Sequence, residues 1–166
     1  MAGTIEIVIE TPQGSRNKLK FEPSRALFRL SRVLPAGMAF PFDFGFVPDT
    51  RADDGDPLGV LVLSDGPLPV GCLVDIRLIG VIEAEQREQT GEVVRNDRLI
   101  GVARESTIHQ DTRELADVSR PLLTEIEAFF GQYNRLEGKE FRVLHRRGVP
   151  AAEELVRRSL MAEVGA

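Results

Sequence analysis

Polar and hydrophobic residues alternate along most of the first 103 positions, which is the pattern of strands with one buried face. The alternation predicts strands at 4–10, 18–22, 27–34, 58–63, 72–85 and 98–103. A turn at 11–15, which contains Pro12 and Gly14, is predicted to join the first two strands as a hairpin. The polar segment 86–92 is predicted to be a hairpin tip before the last of these strands. Four of the nine phenylalanines lie between positions 38 and 47, where most of them are expected in the core.

The hydrophobic period changes near position 120. Apolar residues then fall on one helical face and predict a helix over 121–136, with Asp117 or Ser119 at its start and Gly138 after its end. A short strand at 141–144 and a second amphipathic helix at 151–164 follow. Many strands before two helices predict a mainly β fold of the α+β class: a closed or nearly closed β-barrel flanked by two C-terminal helices. Residues 1–166 have the length of a single domain.

Composition narrows the setting. The formal net charge of −5 argues against general nucleic-acid binding, although a local basic cleft is compatible with it. Cys72 is the only cysteine, so the chain has no intrachain disulfide, and the residue is expected in the core. Neither a signal-peptide pattern nor an apolar run of membrane-spanning length is present. We therefore expect a cytoplasmic protein without a membrane partner.

The acidic run Asp53-Asp54-Gly55-Asp56-Pro57 is the most informative stretch for chemistry. Residues two apart in an extended chain point to the same side, so Asp54 and Asp56 are expected to converge at the mouth of the strand that follows. Two neighbouring carboxylates favour a hard cation between them, such as Mg²⁺, Mn²⁺ or Ca²⁺. An exposed acidic turn is the alternative, because Asp-Gly and Asp-Pro are common turn pairs.

Cationic residues on the early strands are a second group: Lys18, Lys20, Arg29 and Arg32. Arginine binds phosphate or carboxylate through two parallel hydrogen bonds, although a solvated strand face also accounts for such residues. The segment 96–98 places an acid beside a base at the entrance of a strand, and a surface turn is the alternative interpretation. Tyr133 lies near the end of the long helix, where a core position is the alternative. Carboxylates and cations without a nucleophile motif point to metal-assisted attack of water on a phosphate.

The order of these motifs resembles the soluble family I inorganic pyrophosphatases over nearly the whole chain. The opening Glu10-x-Pro12-x-Gly14-Ser15-x-x-Lys18, the arginine at 32 with the aromatic loop 40–46, and the run 54–58 are similar to successive family motifs. The segment 129–139 is similar to the family's helix and its exit. The resemblance implies a five-stranded OB-like barrel, commonly a hexamer in bacterial members, that cleaves diphosphate to two phosphates with Mg²⁺.

The resemblance also implies roles for individual residues. Asp54 and Asp56 would be metal ligands, Asp56 would also be the base for the attacking water, and Glu10 would support both. Asp97 would complete the metal site if it takes the place of a family acid that aligns with Asn96. The expected phosphate-binding residues are Lys18, Arg32, Arg98 and Tyr133. Mg²⁺ is the expected cofactor, with Mn²⁺ possible, and the expected partners are diphosphate or another small phosphate ligand and further copies of this chain.

Several positions depart from the family pattern. Gly59 replaces the third acid of the metal-binding signature, and phenylalanines at 40 and 44 replace two tyrosines. An acid near the tip of the later hairpin has no clear counterpart, with Glu88 the nearest candidate. Asn96 and Lys20 stand where the family has acids, and Arg98 and Asn134 stand where it has lysines. The extra acids Asp43 and Asp53 are candidates for compensation.

These departures leave three hypotheses. The first is a metal-dependent pyrophosphatase with a reduced metal site, which requires Asp54, Asp56 and Asp97 to converge within metal-ligand distance. The second is a phosphate-ester hydrolase or a phosphate-binding protein, in which Phe40 and Phe44 give the pocket an apolar wall. The third is a non-catalytic relative kept for assembly or regulation.

Overall fold

The computed structural model describes residues 3–161. Within these residues the chain forms nine strands, a short 3₁₀ helix at Leu115–Asp117 and two α-helices. The strands are β1 (Thr4–Thr11), β2 (Asn17–Glu22), β3 (Leu27–Val33), β4 (Asp43–Phe46), β5 (Gly59–Leu63), β6 (Leu73–Arg87), β7 (Val93–Arg95), β8 (Arg98–Ala103) and β9 (Glu140–Arg147). The helices are α1 (Arg120–Leu136) and α2 (Val149–Ser159).

Five strands close into a ring in the order β1-β4-β5-β8-β6, with β6 returning to pair with β1. The pairs are antiparallel except for β5 with β8, which run parallel. Strand β6 is long enough to pair with β1 through its first half and with β7 and β9 through its second half. This closed arrangement confirms the predicted mainly β fold with a five-stranded, OB-like ring and two C-terminal helices.

The predicted hairpin of the first two strands is wrong. Strand β2 pairs with β3 in a separate two-stranded sheet, whereas β1 pairs with β4 and β6. Both faces of the last part of β1 are buried, because the backbone of this strand forms hydrogen bonds within the barrel and not with β2. The β2–β3 hairpin therefore stands beside the barrel and brings Lys18 and Lys20 to its edge.

Two buried clusters meet at β5, whose five residues are all buried. Val60 and Val62 pack with strand residues such as Ile7 and with Leu155 of α2, whereas Leu61 and Leu63 pack with residues of α1. A continuous apolar run is what a strand covered on both faces requires. Phe40 and Phe44 belong to the α1 cluster, as predicted for the aromatic segment, and half-buried Cys72 packs against the other cluster.

Helix α1 begins as predicted. The Ser119 side chain accepts a hydrogen bond from the backbone N–H of Leu122 at 3.4 Å, so Ser119 and not Asp117 is the N-cap. Gly138 follows the helix with φ of +75°, a conformation that favours glycine. Helix α2 ends earlier than predicted, because Leu160 is extended and bridges to Thr50; Val164 lies outside the described residues. Within residues 3–161, no helix is both long and apolar enough to span a membrane.

Candidate functional site

A cleft of about 650 Å³ opens at one end of the barrel, between the β2–β3 hairpin, the loop after β4 and the end of α1. Its lining is rich in charges of both signs: Glu10, Lys18, Lys20, Asp49, Asp54, Asp56, Arg98, Glu137 and Lys139. Aromatic side chains and amides form the rest of its floor, among them Phe40, Phe44, Gln86, Asn96 and Tyr133. A small anion together with a cation would suit such a lining.

The acidic run forms a tight loop between β4 and β5. Gly55 has φ of +91°, a conformation that side chains rarely adopt, and this lets the chain reverse within the run. The backbone N–H of Asp56 donates to Asp54 Oδ1 at 3.1 Å, and the N–H of Ala52 donates to the Asp56 carbonyl at 2.7 Å. Asp54 and Asp56 both line the cleft, as the two-residue spacing predicted.

The two carboxylates differ in their surroundings. Burial raises the pKa of Asp54, and the nearby charge of Asp56 adds to that increase. Asp56 is more exposed and forms an ion pair with Lys20, whose Nζ lies 3.2 Å from Asp56 Oδ1. Lys20 thus holds one carboxylate oxygen in place while the other oxygen is left for a ligand.

Glu10 and Lys18 both line the cleft, and the charge of Glu10 acts on Lys18. Glu10 is buried, and its Oε2 accepts a hydrogen bond from the backbone N–H of Phe21 at 2.9 Å. The Lys18 ammonium lies 4.9 Å from the ring centre of Phe44. Burial lowers the pKa of Lys18, and the charge of Glu10 partly offsets this decrease. The result is a poorly hydrated cation directed at the cleft.

Arg98 is a half-buried cation of the cleft. Its guanidinium packs on two rings, 5.0 Å from the centre of Phe130 and 5.7 Å from that of Phe44. Burial lowers its pKa, although the charges of Asp54 and other acids oppose the change. Asn96 Oδ1 accepts a hydrogen bond from Arg98 Nη1, and the buried Nε has no partner among residues 3–161.

Gln86 is a cleft residue that the sequence analysis missed. Its Oε1 accepts a hydrogen bond from Asn96 Nδ2 at 2.5 Å, and both amides are buried. Glu88, the candidate for the acid near the hairpin tip, instead accepts from Gln86 at 2.6 Å and pairs with Lys139 at 3.5 Å. The residue was missed because β6 is longer than predicted. The strand continues to Arg87, so Gln86 lies on a paired strand and not in the predicted hairpin tip.

The structure separates Asp97 from Asp54 and Asp56, which corrects the expected three-carboxylate site. Asp97 follows Asn96, and successive residues of an extended chain point to opposite sides. Its carboxylate accepts from the backbone N–H of Ala84 at 2.9 Å and from Arg95 at 3.0 Å. It lines a different cavity of about 150 Å³, together with Asp53.

The other candidate for compensation is also excluded from the cleft. Asp43 is fully buried, and its carboxylate accepts from Gln13 N–H, Ser64 Oγ–H and Leu68 N–H at 2.8–3.2 Å. These three hydrogen bonds give it a structural role in connecting loops. Neither Asp43 nor Asp53 therefore replaces the acid that is absent at position 59.

Gly59 lies directly under the ring of Phe44. A Cβ atom at this position would come within 2.8 Å of Phe44 Cζ and 3.4 Å of Arg98 Nη1. Real Cβ atoms essentially never approach another heavy atom closer than 3.0 Å. The phenylalanine at 44 and the glycine at 59 are therefore a matched pair, and the ring occupies the space into which a side chain from β5 would extend.

Tyr133 lines the cleft from α1, and burial together with the nearby charge of Glu137 raises the pKa of its hydroxyl. The hydroxyl thus stays protonated at neutral pH. Arg32 is half-buried on β3 and is not among the residues that line the cleft, although its charge acts on Tyr133. Asn134 is buried and donates from Nδ2 to the Phe130 carbonyl at 2.8 Å, which ties it to its own helix.

The donor set fits Mg²⁺ in a limited way. Among residues 3–161 there is no cluster of three or more His, Cys, Asp or Glu side chains placed to hold a metal. Mg²⁺ in phosphate-processing sites is nevertheless commonly held by one or two carboxylates, substrate phosphates and water. Asp54 and Asp56 supply such a pair at the edge of a cleft that also contains cations.

Comparison with known proteins agrees with this arrangement. The family model described as inorganic pyrophosphatase matches residues 7–163. An inorganic pyrophosphatase of Thermus thermophilus is 39% identical over 136 residues, which cover 82% of this chain and 75% of that protein. The corresponding enzyme of Geobacillus stearothermophilus is 37% identical over 152 residues, with coverage of 92% and 89%.

Solved structures show the same similarity in three dimensions. The crystal structure of inorganic pyrophosphatase from Thermus thermophilus superposes with a TM-score of 0.86 at 36% identity and covers 95% of this chain and 89% of that one. The pyrophosphatase of Helicobacter pylori gives a TM-score of 0.87 at 28% identity, with coverage of 96% and 93%. The ring of five strands, the charged cleft and these matches lead to one conclusion: the chain belongs to the family I inorganic pyrophosphatases.

Proposed function

We propose that this chain hydrolyses inorganic diphosphate to two phosphates with the help of Mg²⁺, for which Mn²⁺ can substitute. The observation that carries the proposal is the convergence of Asp54 and Asp56 with Lys18 and Arg98 in one cleft. Carboxylates for a metal and cations for phosphate oxygens are the two elements that metal-assisted phosphoryl transfer to water needs. The family to which the chain belongs supplies the substrate.

Each side chain then has a defined part in the reaction. Asp54 and Asp56 would hold the metal, which would supply positive charge to the phosphate oxygens and acidify water. Asp56 accepts a proton as water attacks one phosphorus atom, and the bridging P–O bond breaks to give two phosphate ions. Glu10, which lines the same cleft, orders the water network. Asp97 has no part in this scheme, since its carboxylate is held in the other cavity.

Phosphate oxygens bind to the cations of the same cleft. Lys18 and Arg98 reach the cleft from β2 and β8, and Tyr133 donates from its protonated hydroxyl. Arg32 contributes at longer range, as it acts on Tyr133 through its charge. Charge-assisted hydrogen bonds to phosphate are about twice as strong as neutral ones, so these groups account for most of the affinity.

The assay is ³¹P NMR of diphosphate with the purified protein in Mg²⁺, in Mn²⁺ and in excess EDTA. We expect conversion to phosphate in either metal and none in EDTA. Conversion that continues unchanged in EDTA would refute the metal requirement, and no conversion in any condition would refute hydrolysis.

A second candidate is a protein that binds a phosphate ligand without cleaving it. The hydrogen-bonded Gln86 and Asn96 favour it, because amides are neutral and bind a metal ion less strongly than carboxylates do. An unchanged ³¹P spectrum in Mg²⁺, together with an increase in melting temperature on adding diphosphate, would select this candidate.

We also propose the setting in which the chain works, which is the cytoplasm, as a homo-oligomer that the family's bacterial members suggest is a hexamer. The net charge of −5 supports a small phosphate ligand over nucleic acid as the partner. Light scattering on the full chain measures the subunit number, and a monomer would refute the assembly.

A further inference from the structure

Arg98 carries a charge that no carboxylate of residues 3–161 pairs with directly. No carboxylate of residues 3–161 lies within ion-pair distance of its guanidinium, whose protein hydrogen bond goes to the neutral Asn96 Oδ1. The Nε atom is buried and has no partner. Asp54, Asp56 and Glu137 act on this half-buried charge only at longer range. A partly desolvated cation whose donors are not all paired favours a ligand of opposite charge in the cleft.

The surroundings of Arg98 offer a metal ion little to bind. Asn96 and Gln86 are amides, and their side-chain oxygens already accept hydrogen bonds from Arg98 Nη1 and Asn96 Nδ2. Across from them, the Phe44 ring lies on Gly59 and fills the space of a side chain from β5. A carboxylate therefore cannot extend from position 59 while Phe44 keeps its place.

The cleft thus has two different halves. The Asp54–Asp56 half carries two carboxylates, of which Asp56 is exposed to solvent and paired with Lys20. The half formed by Gln86, Asn96 and Arg98 carries one fixed positive charge on an aromatic floor. A guanidinium on a low-polarity floor attracts an anion more strongly than the same group does in water.

We propose that Arg98 takes the place of a metal ion in its half of the cleft, so that phosphate oxygens bind there directly and without a metal. The inference rests on the proposed function and adds to it a division of labour. Metal is confined to the Asp54–Asp56 half, and the planar fork of Arg98 receives two oxygens of one phosphate group. The chain therefore binds diphosphate even when all divalent cations are removed.

The test is calorimetric titration of inorganic diphosphate into the full chain in excess EDTA. The wild type binds, and Arg98→Gln binds about tenfold more weakly or worse, because a hydrogen-bonded charge pair is lost. Arg104→Gln is the matched control, since it removes an exposed arginine outside the cleft lining and leaves binding unchanged. Absence of wild-type binding in EDTA, or equal binding by Arg98→Gln, overturns the proposal.

Asn96→Asp gives a second, nearly isosteric test that keeps Arg98 in place. The new carboxylate would accept from Arg98 Nη1 as a charged partner, so we expect metal-free affinity to fall about tenfold or more. At the same time the variant should gain Mn²⁺ affinity, measured by electron paramagnetic resonance. Unchanged metal-free binding by Asn96→Asp would contradict the proposal.

Failure of this proposal is distinguishable from failure of the proposed function, because binding in EDTA requires no turnover. A chain that binds diphosphate in EDTA through Arg98 but releases no phosphate in Mg²⁺ would keep this inference and lose the hydrolysis proposal. A chain that hydrolyses diphosphate in Mg²⁺ but binds none in EDTA would do the reverse.

Discussion

Replacing Gly59 with alanine tests the matched packing of Gly59 and Phe44. The new Cβ would lie 2.8 Å from Phe44 Cζ and 3.3 Å from Phe44 Cε2. The ring cannot easily retreat, because Phe44 is 7% exposed and its centre lies 5.9 Å from the rings of both Phe40 and Phe130. Gly59→Ala should therefore destabilise the fold, although alanine is normally the more favourable residue in folding.

The magnitude follows from two opposing contributions. Overpacking a buried position costs about 1–3 kcal/mol. Gly59 does not have a positive φ, so alanine also restricts the unfolded chain and returns about 0.4–1 kcal/mol. The net loss in free energy of unfolding is about 0–2.6 kcal/mol, which corresponds to a melting temperature lower by up to about 10 °C for a chain of this size.

Urea unfolding of a double-mutant cycle is the assay. Phe44→Leu removes the ring atoms that the Cβ would meet, so Gly59→Ala should cost little or nothing in that background, with a coupling energy of about 1–2 kcal/mol. Gly131→Ala is the matched control: a Cβ there meets no atom within 4 Å, and alanine in the middle of α1 should stabilise the protein. The reasoning is refuted if Gly59→Ala costs the same with and without Phe44, or if it stabilises as Gly131→Ala does.

Two further predictions concern pH. Burial lowers the pKa of Lys18 from the usual 10.5, so Lys18 should lose its charge at a lower pH than an ordinary lysine does. Diphosphate affinity should fall with that charge, and KM should rise at alkaline pH. Lys18→Arg should remove this alkaline rise from a plot of KM against pH. Hydrogen bonds from Ser106, Thr107 and Ile108 lower the pKa of Asp65 below the usual 3.8, so its contribution to stability is complete above pH 3.8 and is lost as the pH falls through the lowered value. Asp65→Asn should therefore lower the melting temperature at neutral pH, and it should make the temperature less sensitive to acid; an equally steep acid dependence would contradict this assignment.

Local patterns predicted most of the secondary structure. The period of the apolar residues located α1 to within one residue at its start, and β8 has the predicted limits of 98–103. The pairing of β2 was not predictable in this way, because alternation identifies a strand but not its neighbour. Because β2 follows β1 along the chain, β1 was the predicted partner of β2. Both faces at the end of β1 are buried in the barrel, and β2 pairs with β3 instead.

The candidate site was predictable only where it depends on residues close together in the sequence. The two-residue spacing of Asp54 and Asp56 placed both in the cleft, because it depends only on local geometry. Asn96 faces the cleft, and the side chain of the next residue, Asp97, points to the opposite side and lines the other cavity. The role of Gln86 and the contact of Gly59 with Phe44 depend on strand register between distant segments, which a single sequence does not reveal.

The central claim is that the Asp54–Asp56 pair makes this chain a metal-dependent pyrophosphatase. The most direct test is the initial rate of phosphate release from diphosphate in saturating Mg²⁺ for the wild type, Asp56→Asn and Asp53→Asn. Asp53 lies in the same loop but faces the other cavity, so the two variants make the same change of charge on opposite sides. We expect Asp56→Asn to abolish release and Asp53→Asn to retain the wild-type rate. Equal rates for wild type and Asp56→Asn, or no release by the wild type, would contradict the account.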